Sequence, residues 1–153
     1  MLTDYCNQYY DPQSARAALL KADDYKVARE IADWKKGIRR QWDNLGVVSH
    51  TQPDASYSLS DNNMMKSEVV LNLGELNPEE IGVEMLFTTT DSKGRMAIQE
   101  VCPFSLVECK DGVATYQAAI LPEKTGMYQV ATRIYPKNEK LPHRQDFPLV
   151  KWL

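Results

Sequence analysis

Between Gly126 and Tyr135 the chain alternates with a period of two. Gly126, Tyr128, Val130, Thr132 and Ile134 fall on one side, and Met127, Gln129, Ala131, Arg133 and Tyr135 on the other, until Pro136 stops the run. Such alternation predicts a strand with one buried face. Runs of the same kind fill the chain from about residue 46 onward. Residues 47–52 (VVSHTQ) are β-branched, residues 67–73 offer Val69, Leu71 and Leu73 to one side, residues 81–90 offer Val83, Met85 and Phe87, and residues 113–121 offer Tyr116, Ala118 and Ile120. Residues 95–108 read as one long extended run with Pro103 in its middle, the mark of an edge or a bulge. Asn77-Pro78, Asp91-Ser92-Lys93-Gly94 and Lys110-Asp111-Gly112 supply turns, residues 53–66 form a polar loop or edge hairpin, and an apolar run over 147–153 closes the chain. About seven strands with no helical pattern between them predict an antiparallel β-sandwich.

The first 45 residues follow a helical period instead. LTDYCNQYY (2–10) allows a short helix with Leu2, Tyr5, Cys6 and Tyr9 on one side, and Asp11-Pro12 reads as an N-cap with proline at the first helical position. Ala15, Ala18, Leu19, Ala22 and Tyr25 then form one apolar stripe, whereas Val27, Ile31, Trp34, Ile38, Trp42 and Leu45 form another on a different side. Asp23-Asp24 sits at the change of phase and predicts a break, with a third helix beyond it that stops before Gly46. The expected chain is therefore α+β, with a helical arm over 1–45 and a sandwich over 46–153. Lys35, Lys36, Arg39 and Arg40 suit the negative end of a helix dipole on a solvated face, the other reading being a contact to phosphate. The late strand entered through Gly126-x-Tyr128 resembles the tyrosine corner of immunoglobulin-like sandwiches, although a core tyrosine of any β-protein fits the spacing equally. The full expectation is a helical arm followed by an antiparallel, immunoglobulin-like sandwich of about seven strands.

Composition narrows the chemistry. The 153 residues, 43% hydrophobic and 25% charged, are those of an ordinary globular chain. No apolar run approaches the ~20 residues that span a bilayer, and no basic and apolar leader follows Met1, so a cytoplasmic protein without membrane partner is expected. Cys6, Cys102 and Cys109 are odd in number and read as free thiols. A net charge of −3 argues against nucleic acid as the main partner. The seven glycines are too dispersed for a phosphate loop or a dinucleotide fingerprint, and two histidines, His50 and His143, are too few for most zinc sites.

Candidate site residues fall into three groups. His143, Arg144 and Asp146 form the densest polar cluster. A His/Asp pair three apart can in principle transfer protons, but without a neighbouring nucleophile it reads as a clamp on an irregular segment. Tyr5, Tyr9, Trp34 and Trp42 put more aromatic surface on the arm than one sandwich face needs, which predicts docking to a partner or self-association through the arm. Among the aromatics of the β-region, Tyr57 and Tyr135 are the rings that fall outside the expected core and are free to stack on a sugar face.

Three stretches carry a family resemblance: DYCNQYYDPQSARAALLKADDYKVAREIADWKKGIRRQWDNLGVVS, GELNPEEIGVEMLF and, most specifically, RIYPKNEKLPHRQDFPLVKWL. Together they resemble the region after the catalytic core in bacterial α-glucan (glycogen) phosphorylases of the Bacteroides-like type. The resemblance implies a non-catalytic C-terminal module, with Met1 internal to a longer parent or added to it. It also implies that the missing catalytic core is the module's partner, and that this core holds pyridoxal phosphate on a lysine and phosphorolyses α-1,4-glucan to glucose 1-phosphate. The lysine motif and the phosphate-binding residues have no counterpart in this sequence, so no catalytic or cofactor-binding residue is carried over. An independent carbohydrate-binding or protein-interaction domain is the alternative. Pyridoxal phosphate added to the purified chain should give no Schiff-base absorbance band, and the chain should release no glucose 1-phosphate from glycogen and phosphate; either signal would overturn this reading.

Overall fold

The computed structural model describes residues 11–51, 65–120 and 128–153. Contacts divide the chain into two units between Arg40 and Gln41. Helix α1 (Asp11–Gln41) is two helical pieces joined by a kink, where Asp23, Asp24 and Tyr25 take φ of 49°, 53° and 60°. Aspartate enters the left-handed region more readily than most residues, so the chain leaves the helix at the pair that marks the change of stripe. The break expected at Asp23-Asp24 is present. The short helix expected over 2–10 lies outside the described residues.

Among the described residues the second unit opens with a 3-10 turn (Trp42–Asn44) and continues through eight strands: β1 (Gly46–Thr51), β2 (Met65–Asn72), β3 (Ile81–Thr90), β4 (Met96–Pro103), β5 (Ser105–Lys110), β6 (Val113–Ile120), β7 (Gln129–Pro136) and β8 (Lys151–Trp152). They form two four-stranded sheets, ordered β1-β2-β6-β5 and β4-β3-β7-β8, with antiparallel pairing throughout. The chain is an α+β protein with an antiparallel sandwich. Lettered in chain order the sheets read A-B-E-D and C′-C-F-G, and any immunoglobulin-like character rests on that order alone.

The eighth strand comes from the run over 95–108, which is two strands rather than one. β4 ends at Pro103, the Phe104 amide donates to the Val83 carbonyl at 2.9 Å, and β5 then pairs with β6 in the other sheet. Pro103 stands opposite Glu84 at the last paired position of β4, where its nitrogen faces away from β3 and the missing N–H costs no ladder bond. The Lys110-Asp111-Gly112-Val113 hairpin closes as predicted, with Asp111 and Gly112 at φ of 51° and 78°, the paired positive values that a two-residue hairpin loop requires.

The core follows the alternation read from the sequence. Val69, Leu71 and Leu73, then Val83, Met85 and Phe87, then Tyr116, and finally Thr132 and Ile134 are all buried. Met85 and Phe87 gather Cys102, Phe104, Tyr128 and Val130 around them and meet Ala118 from the opposite sheet. The Tyr128 ring stands edge-on to Phe87, with centroids 5.8 Å apart. Upstream residues 121–127, where a tyrosine corner would find its backbone partner, lie outside the described ones. Tyr116 makes a phenol-to-backbone bond elsewhere, donating to the Pro78 carbonyl at 2.7 Å and so pinning β6 to the turn that starts β3.

Strand β3 is buried on both faces from Ile81 to Thr88. On the face away from the core, Gly82 lies under the Tyr135 ring, and a Cβ there would stand 2.5 Å from Cζ of that ring. Gly82→Ala therefore forces the ring off its strand and should destabilise the chain by about 1–3 kcal/mol in urea unfolding. An unchanged midpoint would show that the ring has room to shift.

Candidate functional site

Directly opposed residues of an antiparallel pair share a face. Glu84 of β3 stands opposite Arg133 of β7, and Arg133 stands opposite Trp152 of β8, so the three lie in a row across the sheet. Glu84 is only 4% exposed. Its carboxylate accepts from Arg133 Nε and from Arg144 Nη1, and the second arginine arrives from sixty residues further along the chain. The Arg133 guanidinium also lies over the Trp152 ring, 5.7 Å from its centroid, and the Arg144 guanidinium over Tyr135 at 5.5 Å. Burial holds the Tyr135 phenol above its ordinary pKa, the Glu84 charge pushes it the same way, and Arg144 and Arg133 pull it back. Its folded-state pKa lies above the unfolded value near 10, so this contribution to stability is present below about pH 10 and is lost as alkali deprotonates the phenol.

The connection that delivers Arg144 is ordered by its own polar groups. The Lys137 amide donates to the Glu80 carbonyl at 2.6 Å, and the Asn138 side chain accepts from the Lys140 amide at 2.9 Å. His143 caps the 3-10 turn Arg144–Asp146, its Nδ1 accepting from the Gln145 amide at 3.1 Å. Phe147 then anchors the segment in the core at 2% exposure. This cluster is an electrostatic clamp that joins a central strand, its neighbour and an irregular connection.

The sequence-predicted residues are distributed unevenly around it. Arg144 is at its centre, His143 shapes the turn, and Asp146 is an exposed residue of the same turn. Tyr135 belongs to the clamp, half-buried against Gly82 and Arg144. Trp34 is half-buried in α1. Trp42 is buried within the second unit, with Lys151 Nζ 6.0 Å from its ring centre and bonded to the Leu45 carbonyl at 2.7 Å. Tyr5, Tyr9 and Tyr57 lie outside the described residues. Sequence reasoning missed Glu84, Arg133 and Trp152. A signal was present for the first of these, because Glu84 is the one charge inside IGVEMLF, the most apolar strand of the chain. Among the described residues no cluster of His, Cys, Asp and Glu could hold a metal ion, and no helix is long and apolar enough to cross a membrane.

Removing one partner of a buried ion pair leaves the other uncompensated, so Glu84→Gln should cost about 3 kcal/mol in chemical unfolding. Arg144→Ala should cost less, since that side chain is 42% exposed and water can take over part of its role. A Glu84→Gln change within about 0.5 kcal/mol of zero would mean that the pair contributes nothing net.

A family model described as the glycogen phosphorylase C-terminal domain matches residues 42–153. Over 156 aligned residues the chain is 28% identical to maltodextrin phosphorylase of Thermococcus litoralis, a match that covers 99% of this chain and 18% of that relative. The chain thus spans less than a fifth of the relative's length. No solved structure matches. The clamp of Glu84, Arg133, Arg144 and Trp152 lies wholly inside the matched region, and the chain belongs to the glycogen phosphorylase C-terminal domain family.

Proposed function

We propose that this chain is the non-catalytic C-terminal module of a cytoplasmic α-glucan phosphorylase, where it scaffolds the catalytic core rather than acting on substrate. One observation carries this reading. Within RIYPKNEKLPHRQDFPLVKWL, the stretch most specific to the family resemblance, Arg133, Tyr135, Arg144 and Trp152 contact Glu84 or one another. Groups engaged in an internal clamp are not poised over a reacting atom.

Pyridoxal phosphate belongs to the proposed parent enzyme, and the residues present here do not fit it. The groove of about 930 Å³ beside the clamp brings Lys137 and Lys140 together with Glu79, Glu80 and Glu139. Three carboxylates around two ammonium groups repel a phosphate dianion, and no run of glycine amides is there to cradle it. The phosphorolytic chemistry is accordingly assigned to the part of the parent that precedes this module.

The competing reading, a carbohydrate-binding domain, draws support from Trp152, a residue that is 56% exposed and carries an aromatic ring of the kind sugars stack on. Titrating the chain with maltoheptaose while following tryptophan emission separates the two. A scaffold should show no saturable binding tighter than about 1 mM. Saturation below that, abolished by Trp152→Ala, Tyr57→Ala or Tyr135→Ala, would make the module a glucan-binding domain.

A further inference from the structure

We infer that residues 22–25 form a strained hinge in helix α1, through which the upstream helical piece moves between the bent form seen here and a continuous helix. Ala22 leaves the helix with ψ of 154°, and Asp23, Asp24 and Tyr25 follow in the left-handed region. Aspartate enters that region as a single residue, but runs are avoided because each Cβ crowds the following carbonyl oxygen. Each left-handed residue other than glycine weighs against itself by about 5- to 30-fold, so three in succession hold strain that a continuous helix would release. No glycine or proline stands between Gln13 and Lys36, and the sequence therefore allows that helix.

The strain lies between a buried stripe and an exposed one. Downstream, Ile31 and Ile38 are buried. Upstream, no described side chain from Ser14 to Ala22 is buried, Arg16 and Leu20 reaching no further than half-burial. Leu19 is 54% and Tyr25 52% exposed. Apolar packing of the described side chains thus fixes the downstream piece and leaves the direction of the upstream one to the joint.

One contact belongs to the bent form alone. Arg29 Nη1 and Nη2 both donate to Asp24 Oδ2 at 3.1 Å. Residues five apart lie about 140° apart around a continuous helix, so this pair cannot close there. In the continuous form Arg29 would instead stand four positions from Asp33, a spacing at which side chains meet. Asp33 is held in the bent form by Lys36 at 3.3 Å. The Arg29 and Asp24 side chains are 60% and 86% exposed, and an ion pair so open to water shifts an equilibrium by about 5-fold at most. The pair biases the joint without locking it. The hinge does not depend on the function proposed above.

The test measures the distance between spin labels at positions 17 and 32, two exposed alanines of the whole chain. The labels are carried on p-acetylphenylalanine, so that Cys6, Cys102 and Cys109 stay untouched. Two populations are expected, one at a backbone separation of about 22 Å, the span of a continuous helix between those positions, and one shorter. Raising sodium chloride to about 1 M should enlarge the longer population up to about 5-fold by screening the ion pair, and Arg29→Gln should do the same. Tyr25→Gly should enlarge the shorter population at least ~10-fold relative to Tyr25→Ala, because glycine both accepts the left-handed backbone and weakens a helix. A single short distance that none of these changes moves would make the bend a rigid corner and overturn the inference. A single distance near 22 Å in every variant would remove the bend and overturn it as well. Equal ratios in Tyr25→Gly and Tyr25→Ala would show that strain does not govern the joint, with the same result.

Discussion

A carboxylate cannot be taken out of water cheaply, and the β3-β7-β8 half of the sandwich is arranged around one that has been. Glu84 sits at 4% exposure in the strand with the most neighbours, and Arg133 and Arg144 reach it from different parts of the chain. Desolvating an ion in a protein interior costs several kcal/mol, so the carboxylate is tolerable only while both partners are in place. That requirement propagates outward. Arg144 can arrive only if the connection after Pro136 is held, and the backbone bond from Lys137 to Glu80 and the Phe147 anchor hold it. The two-residue strand β8 is then positioned by Arg133 under Trp152 and by the Leu153 amide, which donates to the Thr132 carbonyl at 2.9 Å.

The same geometry bears on register. A one-residue slip of β7 against β3 would move Arg133 to the core face and Ile134 to the other. It would leave Glu84 without its cross-strand partner and place a guanidinium among Met85, Phe87 and Val83. Alternation alone specifies register through the apolar side chains, and the Glu84–Arg133 pair penalises the slipped state from the opposite face. Gly82 adds a steric version of this constraint, since only the native register puts a residue without a Cβ beneath the Tyr135 ring.

What could be read from the sequence was what depends on near neighbours. The period-two runs located the core residues of β2, β3, β6 and β7, the change of apolar stripe located the kink at Asp23-Asp24, and Asp111-Gly112 announced its hairpin. Features set by distant parts of the chain were not legible. Residues 95–108 look like one strand because nothing local says that the chain changes sheets at Phe104; that is decided by the bond to Val83 and the pairing with β6. Glu84 occupies the position where alternation places a solvent-facing residue, yet it is buried, and one of the arginines that meets it there lies sixty positions away. Trp152 was read as part of a closing strand and proves more than half exposed, because β8 is an edge of only two residues. Arg144 was read as part of a clamp on an irregular segment, and the residue it meets could not be named from its own surroundings.

The division of labour between the inside and the edges of the sandwich follows from these constraints. In the second sheet the central strands β3 and β7 are fixed by core packing on one face and by the clamp on the other, so their side chains have little freedom to serve anything outside. The edge strands face the opposite demand. An edge exposes unpaired backbone groups and must discourage random pairing, and the bulges in β1, β4 and β5 do so while turning Val48 and Val107 outward. Apolar side chains on such an edge gain nothing for the isolated fold, because water still reaches them. Their stabilising value is realised only when another surface covers them.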